Sequence, residues 1–234
     1  GYVAQRAAPL GPVGPVVVTI APSTFRIDYL TLYGALIDRH FDEPSTGCSV
    51  LDIGAHKGYF AARCLVDGAR SVVSYEPEEQ NLAFLQASAI ECPNWSIVPA
   101  AVATDEGMVE LHVSPASWSH SIHVPIGGTV NSTQSVRTLG LSTVLREADP
   151  TGKVVVKINV EGAAGEMILS TFPSDWSHVA SLWVDIEAND PIDAPRIIGH
   201  LESCGLRLTR QDQRRHHFRS THRPEAVARR VLST

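Results

Sequence analysis

The segment that most restricts the fold runs from Ser49 to Pro77, where a strand, a glycine turn, a helix and a second strand follow one another closely. Ser49-Val50-Leu51-Asp52-Ile53 reads as a short apolar strand and runs directly into Gly54-Ala55-His56-Lys57-Gly58. Tyr59 to Asp67 then has helical character, and Ser71 to Tyr75 reads as a second strand ending on Glu76-Pro77. A strand, a crossover helix and a strand in this order make a right-handed parallel pair. The two glycines allow backbone angles or a ligand approach that a Cβ would obstruct. The helix that opens near Gly58 offers free N–H groups to a carboxylate or phosphate. Asp52 inside the turn would set an anion beside a pyrophosphate, so the position suits a ligand with an ammonium group instead. Glu76, at the end of the next strand, is placed to accept both hydroxyls of a ribose, as dinucleotide enzymes do at that point.

Strand and helix patterns alternate through most of the remaining chain. Helices are expected over 25–41, 78–90, 141–147, 163–170 and 195–204. Strands are expected at 95–98, 108–113, 154–160, 179–186, 206–209 and 216–219. Val154 to Val160 is mostly apolar in sequence, as expected for a strand buried on both faces. Residues 1–22 read as an irregular arm broken by Pro9, Pro12 and Pro15, and 23–234 as a single domain. Residues 114–136, rich in Ser, Thr, Gly and His, read as a long loop, and long loops in compact domains tend to carry function. The expected fold class is α/β: a mostly parallel sheet with helices on both faces.

The chain has 234 residues, 44% of them apolar, and a net charge of -6. That balance disfavours general affinity for nucleic acid or anionic membrane. Eight arginines between Arg207 and Arg230 make a local basic run, read as a solvated face. Cys48, Cys64, Cys92 and Cys204 show no metal or disulfide spacing and read as free, partly buried thiols. No apolar stretch spans a membrane, and the prolines spoil a signal-peptide core. A cytoplasmic protein is the expectation. The apolar arm would suit a homodimer contact.

VLDIGAHKGYFA (Val50–Ala61), SYEPEEQNLAFLQ (Ser74–Gln86) and VVVKINVEGAAGEMIL (Val154–Leu169) together resemble the FkbM-type methyltransferase family. The resemblance covers roughly residues 48–208. It implies a class I enzyme with a Rossmann-like, mostly parallel seven-stranded sheet that uses S-adenosylmethionine, releases S-adenosylhomocysteine, and methylates hydroxyls of natural products or sugars. Carried over, Asp52, Gly54, Ala55, His56 and Gly58 hold the methionine end and Glu76 the ribose. Pro77 and Ala101 lie by the ribose and adenine, and Asn81 positions its helix. Lys157, Asn159 and Glu161 reach the methyl-transfer region. Asn159 departs from the family's usual Asp, which removes a charge and leaves a hydrogen-bonding role.

A hydroxyl acceptor needs alignment and a base. Glu161, just past the fourth parallel strand, is one candidate; an alternative for it is an ion pair with Lys157. Glu187 is a second, on the same side of its strand as Asp185. His120 and His123, in the long loop, complete the set, and Trp118 there is a candidate lid residue. Asn159, Glu161, Asp185 and Glu187 offer oxygen ligands of a kind that suits magnesium, although their spacing is not diagnostic. The partner expected is a small molecule, with neither nucleic acid nor membrane. Three readings compete with O-methylation: N-methylation, a nicotinamide-dependent oxidoreductase, and a non-catalytic cofactor-binding module. The segment after the fourth strand, Asn159-Val160-Glu161-Gly162, offers no stacking surface for a planar amine.

Overall fold

The computed structural model describes residues 2–3, 19–20, 41, 44–90, 92–115, 119–123, 129–148 and 152–221. The expected helix over 25–41, apart from its last residue, and Trp118 lie outside them. In the arm, β1 (Tyr2–Val3) pairs antiparallel with β2 (Thr19–Ile20), so the segment read as irregular carries a short two-stranded pairing.

The main body alternates strand and helix as its apolar periodicity requires. In chain order it contains β3 (Ser49–Ile53), α1 (Tyr59–Val66), β4 (Ser71–Tyr75), α2 (Glu79–Ala89) and β5 (Trp95–Val98). Three further strands follow: β6 (Ala101–Ala103), β7 (Gly107–Val113) and β8 (Ser132–Gly140). Then come α3 (Leu141–Arg146), β9 (Val154–Ile158), α4 (Ala164–Leu169), β10 (Val179–Asp185), α5 (Ala194–Ser203), β11 (Leu206–Asp212) and β12 (Arg215–Ser220). The seven-stranded sheet has the order β11-β12-β10-β9-β3-β4-β5. β12 alone runs against its neighbours; the contacts β10–β9–β3–β4–β5 are all parallel.

Both faces of this sheet are covered, which explains the unbroken apolar runs. Leu51, Ile53, Val154, Val156 and Ile158 point into one core with residues of α3, α4 and α5. Val50 and Val155 point into the other with residues of α1, Leu85 and Trp95. A side-chain period of two on a sheet with helices on both sides buries every position.

One expectation fails here. Residues 132–136, read as the end of a loop, instead begin β8 (Ser132–Gly140), the middle strand of a second sheet ordered β6-β8-β7. Its inward positions include Val136 and Thr138, both buried, while Ser135 and Arg137 are exposed. The alternation is there, but Ser and Thr on both faces hide it from an apolar/polar reading. The loop is therefore shorter than expected and closes the β7–β8 hairpin.

The strand order reverses between β3 and β9, and a crevice opens at such a point beyond the carboxyl ends of the strands. Asp52 and Lys157 face each other there in the β3–β9 register. Both are buried, at 0% and 4% exposure. Lys157 Nζ lies 3.0 Å from Asp52 Oδ1 and donates to the Gly54 carbonyl at 2.7 Å. The partner expected for Lys157 was Glu161. Direct register pairing with an acid on the adjacent strand gives it Asp52 instead. The turn itself needs its glycines. Gly54 has φ +72° and Gly58 φ +82°. A Cβ on Gly54 would collide with the Asn159 carbonyl, and one on Gly58 would meet Leu85 and Trp95 at 2.5 Å.

Two predictions follow from this arrangement. Gly58→Ala combines a left-handed backbone with overpacking and should cost about 2–4 kcal/mol. Gly199→Ala, on the exposed face of α5 with open space around it, should instead stabilise by about 0.5–1 kcal/mol. Urea denaturation of the two variants reads both signs. Lys157→Met leaves Asp52 buried without its counter-charge and should destabilise by about 3–5 kcal/mol. Adding Asp52→Asn to Lys157→Met should recover part of that loss, and additive losses in the double variant would refute the pair.

Candidate active site

A cavity of about 450 Å³ opens over the switch point, in the range of small-molecule and cofactor sites. Its floor is the β3–α1 turn, with Gly54, Ala55 and His56. One end is walled by Tyr75, Glu76, Pro77, Ala101, Val102 and Leu111. The other end has Lys157, Asn159, Val160, Glu161, Asp185 and Arg214. Phe41, Tyr59 and Phe60 add aromatic surface.

At the first end, Glu76 is buried and both of its oxygens are engaged by backbone. Oε2 accepts from the His56 N–H at 2.7 Å, and Oε1 from the Glu78 N–H at 3.0 Å. Each carboxylate oxygen has two acceptor sites, so each keeps capacity for another donor. The carboxylate thereby ties the turn after β3 to the turn after β4. His56 sits in the left-handed region, φ 53°, which aims its N–H at Glu76. Burial pushes the Glu76 carboxyl up to about 7, against the pull of the Glu78 and His56 N–H groups and the Asn81 side chain. Burial, followed by the charges of Lys57 and Lys157, pushes the His56 imidazole down to about 3, so it is neutral at working pH. Glu78, which carried no expectation, caps α2 by accepting from the Asn81 N–H at 2.7 Å. Asn81 is buried, lines the cavity and hydrogen-bonds Glu76, so it serves the site as well as its helix.

At the second end, the Glu161 carboxyl is hydrogen-bonded to Glu187 and pushed up to about 9, by burial first and then by that neighbour. Glu187 and Asp185 are both buried and both bound to Arg214. Arg214 Nη1 lies 2.6 Å from Glu187 Oε1, and its Nε 2.9 Å from Asp185 Oδ1. Burial raises the Asp185 carboxyl, and the guanidinium opposes that rise. The Asn159 N–H continues the β9–β3 ladder to the Ile53 carbonyl at 3.0 Å, while its side-chain oxygen is buried.

The cavity thus gathers Gly54, Ala55, His56, Glu76, Pro77, Ala101, His120, Asn159 and Glu161. Asp52 and Gly58 lie behind the turn, off its lining. Asp52 shapes the turn through Lys157, and Gly58 packs against Leu85 and Trp95. Glu187 also lies off the lining and reaches the cavity through Glu161. His120 Nδ1 accepts from the Ser114 N–H at 3.1 Å, which leaves the proton on Nε2, 3.9 Å from Glu78 Oε2. The nitrogen that a base would use is therefore already occupied. Burial lowers the His120 imidazole further. His123 Nε2 lies 3.5 Å from Glu166 Oε2. Between these two histidines, Ser121 Oγ donates to the Glu161 carbonyl at 2.7 Å and pins the loop to the second end.

Arg214, read as part of a solvated run, belongs to the site. Its signal was the sequence Asp212-Gln213-Arg214 between two strand patterns. Gln213 has φ 52°, and the tight turn there carries Arg214 back over the strand ends. Among the described residues, no three His, Cys, Asp or Glu side chains form a group that could hold a metal ion. All four cysteines are buried. No helix among the described residues is long and apolar enough to cross a membrane.

Comparison with known proteins identifies the family. The methyltransferase FkbM domain model matches residues 52–208. The crystal structure of a methyltransferase FkbM from Methylobacillus flagellatus superposes with a TM-score of 0.52 at 16% identity, over 80% of this chain. This chain spans 47% of the length of that structure. Fibrillarin from Aeropyrum pernix, solved with natively bound S-adenosyl-L-methionine, gives a TM-score of 0.46 at 12% identity, covering 84% of this chain and 74% of that one. No curated protein matches the chain in sequence. With the family model covering most of the chain, the chain belongs to the FkbM methyltransferase family and has the class I methyltransferase fold.

Proposed function

We propose that this chain is an S-adenosylmethionine-dependent methyltransferase acting on a hydroxyl of a small molecule, a natural product or a sugar. The observation that carries the reading is one cavity with a backbone-pinned carboxylate, Glu76, at one end and a hydrogen-bonded carboxyl pair, Glu161 with Glu187, at the other.

The residues fit the cofactor. Glu76 keeps acceptor capacity toward two ribose hydroxyls, and Pro77, Ala101, Val102 and Leu111 offer an apolar wall for the adenine. Gly54, Ala55 and His56 hold the methionine end, with Asn159 beside them; the buried Asn159 oxygen suits an ammonium donor. Asp52 contributes from behind the turn, through Lys157. When bound, the cofactor supplies an electrophilic methyl group on a sulfonium.

The protein's share is alignment and proton removal. The floor and walls hold the two reactants in line, which is worth on the order of 7–11 kcal/mol. Glu161, with its carboxyl raised to about 9, takes in its ionised form the proton of the acceptor hydroxyl as that oxygen is alkylated, while Glu187 holds it in place. Such a base is worth about two to four powers of ten in rate. A nitrogen acceptor would have less need of this pair, which favours oxygen.

Two measurements test the reading. Titration calorimetry should show micromolar binding of S-adenosylmethionine that Glu76→Ala abolishes while circular dichroism shows the fold kept. Ribose hydroxyls donate to the ionised carboxylate, so wild-type affinity should weaken as pH falls below about 7, approaching tenfold per pH unit. Equal binding by wild type and variant would sink the assignment of Glu76. The second test uses the proton on Glu161. A carboxyl raised in the folded state stabilises the fold fully below its unfolded value, and that contribution is lost as pH rises through the folded one. Wild-type Tm should therefore fall between pH 7 and pH 9.5, a window set by the value of about 9. Glu161→Gln, whose amide can donate to Glu187 at any pH, should show a flatter profile by scanning calorimetry. Parallel profiles would rule out a proton held there.

A further inference from the structure

The second end of the cavity contains three acids, Glu161, Asp185 and Glu187, together with an amide, Asn159. This is a set of oxygen donors that ordinarily draws a divalent cation. The geometry shows why they do not form such a group here. Arg214, delivered by the β11–β12 turn, places Nε 2.9 Å from Asp185 and Nη1 2.6 Å from Glu187. Its fork spans both carboxylates at once, in the planar arrangement that only guanidinium provides. The acids are buried, whereas the Arg214 side chain is half exposed, at 52%, and lines the cavity. Its backbone is fixed as well: the Arg214 carbonyl accepts from the Ile186 N–H at 2.8 Å, locking the turn to the end of β10. A surface arginine has no need of this anchorage. With Nε and Nη1 committed to the acids, Nη2 is the guanidinium nitrogen left to face a bound molecule.

We propose that Arg214 is the resident cation of the acceptor end, standing where a divalent metal would otherwise bridge Asp185 and Glu187 and positioning the acceptor oxygen for attack. The inference rests on the methyltransferase reading above and assigns a role to a residue in that same site. It makes the transfer independent of added metal and reserves the place beside Glu161 for a neutral, hydrogen-bonding acceptor group. A cationic acceptor would meet the guanidinium and be repelled.

The test uses Mn2+ as a probe, because oxygen donors of this set accept it. Arg214→Ala should lower Tm, since two buried acids lose their counter-charge. Millimolar Mn2+ should then raise the Tm of that variant by several degrees, with a bound-manganese signal in electron paramagnetic resonance. Wild type should show neither effect, and Arg214→Ala combined with Glu187→Gln should lose both. Arg214→Lys, which keeps a charge but not the fork, should recover part of the Tm and bind no Mn2+. Calorimetry with S-adenosylmethionine should give Arg214→Ala an affinity within about twofold of wild type. A change of tenfold or more would assign Arg214 to the cofactor and overturn the proposal. So would Mn2+ binding to wild type that Glu187→Gln removes, or an Arg214→Ala variant that Mn2+ does not stabilise. If Arg214→Ala does not fold, the wild-type titration and Arg214→Lys decide alone, with Mn2+ bound to either at Glu187 counting against it. Failure of wild type to bind S-adenosylmethionine would count against the methyltransferase reading itself.

Discussion

The contact between Asp52 and Lys157 is the interaction on which the site depends. It lies where strand order reverses between β3 and β9, with both charges out of water. Two ions brought into such a position lose several kcal/mol of hydration each, and their attraction recovers this only when the remaining donors are satisfied. Lys157 meets that condition by donating to the Gly54 carbonyl as well. The pair does more than offset its own burial. It clamps the first residue of the glycine turn to the neighbouring strand and sets the cavity floor.

The floor in turn determines what Glu76 can do. The left-handed His56 directs its N–H at one oxygen of that carboxylate, and the start of α2 directs the Glu78 N–H at the other. A carboxylate pinned from two turns cannot rotate away, so a ligand meets an acceptor already oriented. Burial works against this by raising the Glu76 carboxyl toward neutrality. Ribose hydroxyls would supply the missing donors, so ligand binding and ionisation of Glu76 favour each other.

Much of the fold was legible because the main sheet is buried on both faces. Apolar strand runs such as Val154–Val156, separated by helical stretches, leave little ambiguity of type. The strand β8 was not legible, because Thr138 fills an inward position that an apolar residue would have announced. In the site, Gly54, Glu76 and Glu161 were readable because each occupies the end of a strand. Lys157 was assigned the wrong partner: a sequence shows that Lys157 and Glu161 are close along the chain, but not that Lys157 stands opposite Asp52 across a parallel register. Arg214 was missed for a related reason. Its role arises from the turn at Gln213, and among neighbouring arginines its identity alone says nothing.

The two halves of the cavity come from two halves of the topology. β3 and β4 with their turns supply the groups proposed for the cofactor, whereas β9, β10 and the hairpin leading into β12 supply Glu161, Asp185, Glu187 and Arg214. The reversal of β12 matters for the second half. An added parallel strand would need a crossover and would begin at the far edge of the sheet. An antiparallel one begins at the carboxyl ends of its neighbours, so the turn preceding it passes directly over the cavity. Arg214 occupies that turn. The one strand that breaks the parallel rule is thus the one able to carry a long cationic side chain from the hairpin onto the acids of β10. A change in the length or sequence of that hairpin would alter the Arg214 end of the cavity while leaving the Asp52–Lys157 clamp and the Glu76 cradle intact.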